Sequence, residues 1–163
     1  MRVPGVGGPR QVIAAARAAL EAAGLVVETS SPILDTAPLG PSLRRYANAA
    51  AVVASALEPP AVLALLQDIE RKFGRKRRGR RWRARPLDLD IVLWSGGAWV
   101  SRGITIPHPL FRRRAFVVVP AAAIAPRWRD PVTHATLAQL GARLTRSAQL
   151  PSCTPCTAHG RGP

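Results

Sequence analysis

The most constraining feature of this 163-residue chain is a strict alternation of side chains between Leu87 and Leu93. The odd-numbered positions are all leucine or isoleucine, whereas Asp88 and Asp90 occupy the first two even-numbered ones. Because successive side chains of a β-strand point to opposite faces, this pattern predicts a strand with one buried face. The turn-forming residues 95–97 follow, and they predict a hairpin with a return strand over 98–106.

Patterns elsewhere predict both helices and strands. Pro9 and Gly24 bracket a breaker-free helical segment, Pro59 and Gly74 bracket apolar residues at helical spacing, and Thr136 is a candidate N-cap. The predicted elements are helices over 10–23, 59–74 and 137–144, strands over 25–34 and 46–57, and either a strand or a buried helix over 116–124. A mixed order of this kind, with a hairpin, favours an α+β fold.

The charge of the chain is unusual, whereas its 47% apolar content is ordinary for one globular domain. There are 24 Lys and Arg against 9 Asp and Glu, a formal net charge of +15. Such an excess predicts a polyanionic partner, which could be nucleic acid, an anionic membrane or a phosphate-rich small molecule. The composition excludes fibrous and disulfide-scaffold classes.

Gross features predict a cytoplasmic protein. There are only two cysteines, Cys153 and Cys156, so a reducing compartment is expected. No stretch has the length and apolarity of a membrane span or the uninterrupted core of a signal peptide. Both cysteines fall in a Ser-, Thr-, Pro- and Gly-rich stretch over 147–163, which predicts a disordered, solvated tail rather than a zinc site.

The acidic residues discriminate between the possible partners. On a strand, Asp88 and Asp90 leave the same face with their Cα atoms about 6.5–7 Å apart, a spacing at which two carboxylates can hold Mg²⁺. Ten of the fifteen residues from Arg71 to Arg85 are Lys or Arg, and guanidinium groups suit phosphate oxygens. Carboxylates beside arginines favour metal-nucleotide chemistry.

Two other interpretations remain open at the level of residues alone. The carboxylates could lie on an ordinary solvent-facing strand edge, or the basic run and Trp82 could bind phosphates and stack on bases. A nucleic-acid surface gains nothing from paired carboxylates on its flank. The chain has no GxxxxGK[ST] motif, which excludes a P-loop kinase.

Three stretches, in order, resemble the 6-hydroxymethyl-7,8-dihydropterin pyrophosphokinase family of folate biosynthesis. The most specific is GRKRRGRRWRARPLDLDIVLW over 74–94, in which an arginine-rich loop precedes Arg-Pro-Leu-Asp-Leu-Asp and an apolar strand. Upstream, SPILDTAPLGP over 31–41 and YANAA over 46–50 resemble the pterin-binding loop and strand. Downstream, ITIPHPLFRRRAFVVVP over 104–120 resembles the Ile-Pro-His-Pro stretch of the family.

The resemblance implies a ferredoxin-like, three-layer α/β/α sandwich with a largely antiparallel sheet. It implies transfer of the β,γ-diphosphate of ATP to the hydroxymethyl oxygen of 6-hydroxymethyl-7,8-dihydropterin, which releases AMP. ATP and this pterin are then the partners, with two Mg²⁺ ions as cofactor, on a monomer that binds neither nucleic acid nor membrane. The alternatives are an inactive, truncated homologue that binds nucleotide or pterin, and a basic nucleic-acid-binding module.

The resemblance also assigns roles by position. The metal ligands are Asp88 and Asp90. The catalytic residues are Arg75, Trp82, Arg85 and Asp90. The ATP-binding residues are Gln67, Glu70, Arg75, Arg77, Arg81, Trp82, Arg85, Thr105, His108 and Arg114. The pterin-binding residues are Thr36, Leu39, Tyr46, Asn48 and Phe116, with the two aromatic rings on either side of the pterin.

The N-terminus departs from the family pattern. Members usually begin with an apolar strand followed by Gly-Ser-Asn-Leu-Gly-Asp, and residues 1–9 contain neither. We therefore expect an irregular N-terminus over 1–9, a pyrophosphokinase domain over 10–146 and a disordered tail over 147–163. Loss of a strand inside the sheet would leave its neighbours without ladder partners.

Overall fold

A computed structural model describes residues 3–36, 46–74 and 86–149. The predictions for Leu39, Arg75, Arg77, Arg81, Trp82, Arg85 and the tail from residue 150 onwards lie outside these ranges.

The described residues form four α-helices and one short 3-10 helix. These are α1 Pro9–Ala22, α2 Pro59–Lys72, α3 Ala115–Ile124 and α4 Leu137–Gln149, with the 3-10 helix at Phe111–Arg113. Helices α1 and α2 agree with the prediction, and the ambiguous segment 116–124 is helical. Helix α4 continues past its predicted end at Leu144, so the predicted tail boundary at residue 147 falls inside a helix. None of the described helices has the length and apolarity needed to cross a membrane.

The strands pair in three antiparallel ladders of two strands each in this part of the chain. The strands are β1 Val26–Ser30, β2 Leu34–Thr36, β3 Tyr46–Asn48, β4 Ala51–Ala54, β5 Trp99–Ser101 and β6 Ile104–Ile106. The pairs are β1 with β4, β2 with β3, and β5 with β6. Pro32, which has no N–H to donate, lies where the predicted strand 25–34 divides into β1 and β2. The predicted α+β class with antiparallel pairing is confirmed.

Two hydrophobic clusters form the core. In the first cluster, Val12, Ala16 and Leu20 of α1 pack against Leu66 and Ile69 of α2 and its C-cap residue Phe73, together with Leu25 and Leu87. The second cluster contains Phe111, Val118, Ala135, Leu137 and Leu140. The residues of α1 and α2 recur every three or four positions, so each helix buries one apolar face.

The prediction of a strand over 87–93 is wrong, although the alternation of side chains that suggested it is observed over 87–91. Leu87, Leu89 and Ile91 pack in or against the first cluster, and Asp88 and Asp90 are exposed. A strand requires a neighbouring strand as hydrogen-bonding partner. Here the Leu89 N–H donates to a side chain and the Val92 carbonyl accepts from a loop residue, so the segment forms no ladder with the described residues.

The predicted hairpin between 87–93 and 98–106 is also wrong, because the predicted return strand folds back on itself as a hairpin of β5 and β6. Strands β5 and β6 are joined at Arg102 and Gly103, where Gly103 has a φ of +86° that a side chain would strain. Residues 95–97, predicted to form the hairpin turn, form a separate turn before β5. In this turn the Gly97 N–H donates to the Trp94 carbonyl at 3.1 Å. The Trp94 ring occupies the space beside Gly96, where an added Cβ would lie 2.5 Å from it.

Helix α4 begins with a reciprocal pair of side-chain hydrogen bonds. The Gln139 N–H donates to the Thr136 hydroxyl at 3.2 Å, and the Thr136 N–H donates to the Gln139 side-chain oxygen at 2.9 Å. Each bond satisfies a backbone donor that has no partner within the helix. The predicted N-cap at Thr136 is confirmed.

We expect Thr136→Ala to lower the free energy of unfolding by about 1 kcal/mol, because one helix-terminal N–H loses its acceptor. Urea denaturation followed by circular dichroism measures the change. Thr136→Ser keeps the hydroxyl and should lose only a fraction of that stability. An equal loss in both variants would show that the hydroxyl does not cap the helix.

Candidate active site

A buried carboxylate on α2 holds the segment that follows the basic run. Glu70 is only 1% exposed, and its Oε1 accepts the Leu89 N–H at 2.9 Å. Leu89 lies between Asp88 and Asp90, so this bond fixes the backbone that carries both acids. Burying a carboxylate is costly unless it is hydrogen-bonded, so Glu70 and Leu89 determine each other's position. The predicted contact of Glu70 with ATP stays a prediction, as does that of the half-buried Gln67.

Asp88 and Asp90 are both exposed, on the side of the segment opposite the first cluster. Their carboxylates are the hard oxygen donors that Mg²⁺ prefers. The described ranges contain no group of three or more His, Cys, Asp or Glu residues arranged to hold a metal ion. Two carboxylates alone fit Mg²⁺ that completes its coordination with water and substrate phosphates, which is its usual mode of binding.

The turn after β6 brings His108 to the same segment. The His108 N–H donates to the Val92 carbonyl at 3.1 Å, and its Nδ1 accepts the Leu110 N–H at 3.3 Å. A neutral imidazole that accepts at Nδ1 carries its proton on Nε2, which leaves Nε2 as a donor. Thr105, also predicted to contact ATP, is an exposed residue of β6 and pairs with Val100.

The three consecutive arginines over 112–114 have different environments. Arg112 donates from Nε and Nη2 to the two carboxylate oxygens of Asp130, each at 2.6 Å. Arg113 is exposed. Arg114 is the N-cap residue of α3, and its guanidinium lies 5.8 Å from the centroid of the Phe116 ring. Arg114 is therefore the member of the run next to a predicted pterin-stacking ring.

Asp130 was missed by the sequence analysis. It is fully buried and also accepts hydrogen bonds from the Thr133 hydroxyl and the Val132 N–H. The hydrogen bond from Arg112 lowers the pKa of Asp130 well below its ordinary value, against burial, which raises it. The same hydrogen bond raises the pKa of Arg112. An Asp before Pro with Thr three positions later is a turn-forming pattern that could have identified this residue.

The predicted pterin residues within the described ranges, Thr36, Tyr46, Asn48 and Phe116, lie on β2, β3 and α3, which contact one another. Thr36 pairs with Tyr46 in the ladder, and the Asn48 amide donates to the Thr36 hydroxyl at 2.8 Å. Tyr46 is 43% exposed, and Phe116, on the first turn of α3, is half-buried. A partly exposed aromatic ring has a face available for stacking, whereas a core ring does not.

Comparison with known proteins identifies a family. The family model described as 7,8-dihydro-6-hydroxymethylpterin-pyrophosphokinase matches residues 5–126. A 2-amino-4-hydroxy-6-hydroxymethyldihydropteridine pyrophosphokinase of Synechocystis sp. is 40% identical over 118 residues, which are 72% of this chain and 60% of that protein. The protein of the same name in Pseudomonas aeruginosa is 38% identical over 128 residues, 76% of each chain. A folate synthesis bifunctional protein of Arabidopsis thaliana is 35% identical over 98 residues, 60% of this chain and 20% of that protein.

We expect Asp130→Asn to lower the free energy of unfolding at pH 7 by about 3 kcal/mol, because Arg112 keeps its charge without the carboxylate. The folded pKa of Asp130 lies below the unfolded value of 3.8. The pair therefore contributes fully above about pH 5, and its contribution is lost as the pH falls through the folded pKa. Urea titrations should thus show that the difference in free energy of unfolding between the parent and the variant becomes smaller below about pH 4.

The matched control is Asp35→Asn. Asp35 pairs with Arg10 at 2.9 Å, but the two side chains are 35% and 60% exposed. An exposed pair of this kind contributes less than about 1 kcal/mol. The lowered pKa of Asp130 would be contradicted if the difference in free energy of unfolding between the parent and Asp130→Asn stayed constant from pH 7 to pH 3.

Proposed function

The chain belongs to the 7,8-dihydro-6-hydroxymethylpterin-pyrophosphokinase family, and from this premise we propose that it transfers the β,γ-diphosphate of ATP to 6-hydroxymethyl-7,8-dihydropterin. In this reaction the hydroxymethyl oxygen forms a bond to the β-phosphorus, and the bond from that phosphorus to the α,β-bridging oxygen breaks. AMP leaves with the bridging oxygen, and the hydroxyl proton is released. The products are AMP and the pterin diphosphate, and the reaction is a step in folate biosynthesis.

One observation carries this proposal. Asp88 and Asp90 are exposed on a backbone held from one side by Glu70 of α2 and from the other by His108. Exposed carboxylates on a segment fixed at two points form a preorganised site for Mg²⁺ bound to phosphates. A nucleic-acid surface has no use for this pair, so the basic-module alternative is not favoured.

The proposed nucleotide-binding residues have different roles. Mg²⁺, when bound by Asp88 and Asp90, supplies charge stabilisation for the phosphate oxygens. His108 has Nε2 as a donor for a nucleotide oxygen, and the guanidinium of Arg114 can pair with a phosphate. The proposal includes five residues outside the described ranges, with Trp82 closing over the substrates and four arginines binding phosphates: Arg75, Arg77, Arg81 and Arg85.

The pterin would lie between β2, β3 and α3. Tyr46 and Phe116 would stack on its two faces, and Asn48 would hydrogen-bond to its edge. The hydrogen bond from Asn48 to Thr36 orients the amide, so its second N–H and its carbonyl oxygen remain for a ligand. Backbone groups at Thr36 and Leu39 complete the proposed set.

The proposal includes two Mg²⁺ ions, a monomeric chain and a cytoplasmic location. The number of ions is the one that the resemblance to the family implies, and the location is supported by the scarcity of cysteine. ATP and Mg²⁺ are the requirements expected of a pyrophosphokinase of this family.

The decisive measurement is AMP formation from ATP and 6-hydroxymethyl-7,8-dihydropterin in the presence of Mg²⁺. We expect turnover by the parent chain and a loss of about a hundredfold or more in Asp90→Ala, because a metal ligand supplies several kcal/mol of charge stabilisation. Pterin affinity should be nearly unchanged in that variant.

Asp68→Ala is the matched control, since Asp68 is an exposed acid of α2 that pairs with Arg71. It should keep the parent rate. Absence of AMP at high concentration of the parent chain would favour the inactive-homologue alternative. Parent-like turnover in Asp90→Ala would refute the metal role of Asp90.

In the proposed pterin site, Asn48→Ala should weaken pterin binding by about tenfold. The variant loses the hydrogen bond to the edge of the pterin, which leaves a polar group of the ligand unpaired. Pterin fluorescence titration measures the effect, and binding of an ATP analogue should not change. Because Thr36→Val removes only the hydroxyl that orients the amide, it should have a smaller effect. Equal pterin affinity in the parent and Asn48→Ala would remove Asn48 from the site.

A further inference from the structure

The ion pair between Arg112 and the buried Asp130 links the 3-10 helix to the loop before α4, eighteen residues further along the chain. Arg112 lies in the 3-10 helix between His108 and Arg114, and Asp130 lies in the loop before α4. Both carboxylate oxygens accept from the guanidinium, so the pair has the two-point geometry that fixes orientation as well as distance. The Arg112 side chain is 27% exposed and that of Asp130 is fully buried.

The Asp130 side of this link is rigid. The Asp130 N–H donates to the Ala135 carbonyl at 3.0 Å, and the Asp130 carbonyl accepts the His134 N–H at 2.8 Å. With the bonds from Thr133 and Val132 to its carboxylate, Asp130 is held by four contacts within its own loop. The loop therefore provides a fixed anchor for Arg112.

The Arg112 side of the link carries two predicted nucleotide contacts. The Phe111 N–H donates to the His108 carbonyl at 3.0 Å, and the Arg114 N–H donates to the Phe111 carbonyl at 3.0 Å. Arg112 also stacks over the fully buried Phe111 ring at 4.9 Å. These contacts connect Arg112 to the backbone from His108 to Arg114.

We propose that Arg112 and Asp130 are positioning residues, which place His108 and Arg114 for nucleotide binding; this rests on the proposed function. The pair acts through the 108–114 turn and touches neither substrate. Arg112 is thereby distinguished from the other arginines of its run: its donors are directed to Asp130 rather than to phosphate. Without the pair, the turn keeps its bond to Val92 and the packing of Phe111 in the second cluster, but loses the two-point hydrogen bonding to the loop before α4.

The test uses the full chain and two readouts for Asp130→Asn, hydrogen exchange and nucleotide affinity, with pterin affinity as the reference. Both are measured well below the unfolding temperature of the variant. Hydrogen exchange at the Leu110 and Phe111 amides should accelerate at least severalfold, because these bonds hold the turn. The Kd of a non-hydrolysable ATP analogue with Mg²⁺, measured by calorimetry, should rise by about tenfold. The Kd of the pterin should change by less than about twofold. General destabilisation would not weaken nucleotide binding alone.

Two further variants complete the test. Arg112→Lys keeps the charge but not the two-point geometry and should raise the Kd of the analogue by an intermediate factor. Glu21→Gln, which breaks the exposed pair of Glu21 with Arg17 on α1, is the control and should leave both readouts unchanged. Should Asp130→Asn not fold, Thr133→Ala removes one bond to the same carboxylate and should shift both readouts in the same direction by about twofold.

The outcomes separate this inference from the proposed function. A parent chain that binds the analogue but forms no AMP overturns the proposed activity and leaves the positioning test intact. Unchanged affinity for the analogue in folded Asp130→Asn, or in Thr133→Ala if that variant must replace it, overturns the positioning role. An equal loss of nucleotide and pterin affinity also overturns it, since it indicates a purely structural role.

Discussion

The hydrogen bond from the Leu89 amide to the buried carboxylate of Glu70 is the contact on which the rest of the site depends. Segment 87–94 has no strand beside it among the described residues, so side-chain contacts hold it in place of a ladder. A carboxylate removed from water requires a donor, and the backbone donor requires an acceptor, so each group constrains the other. The flanking aspartates, Asp88 and Asp90, are consequently directed outwards.

The same segment joins the two hydrophobic clusters. Leu89 and Ile91 pack against the first cluster, whereas Val92 and Leu93 pack against the second. The His108 turn is bonded to the segment at Val92, so the elements predicted to bind nucleotide share one support. Packing on both sides restricts the segment as a sheet would, without regular backbone pairing.

The placement of charge follows from these constraints. Four acids are paired with arginines within the described residues: Glu21, Asp35, Asp68 and Asp130. Three of these pairs are exposed and contribute little, and the one with the buried Asp130 links the 3-10 helix to the loop before α4. The excess of positive charge first suggested a nucleic-acid partner, but the chain also exposes two carboxylates, Asp88 and Asp90, on one segment. This arrangement suits a Mg²⁺-bound polyphosphate better than a duplex.

Local patterns in the sequence determined much of this protein. The alternation at 87–93 predicted which face carries Asp88 and Asp90, and Thr136 predicted the start of α4, because both effects act between residues close in the chain. Only the tertiary structure decided that segment 87–94 would have no ladder with the other described segments, that Glu70 would be buried, and that Arg112 would pair with Asp130. These three features depend on contacts between residues that are distant in the chain. The sequence does not show whether a given carboxylate faces solvent or a buried amide.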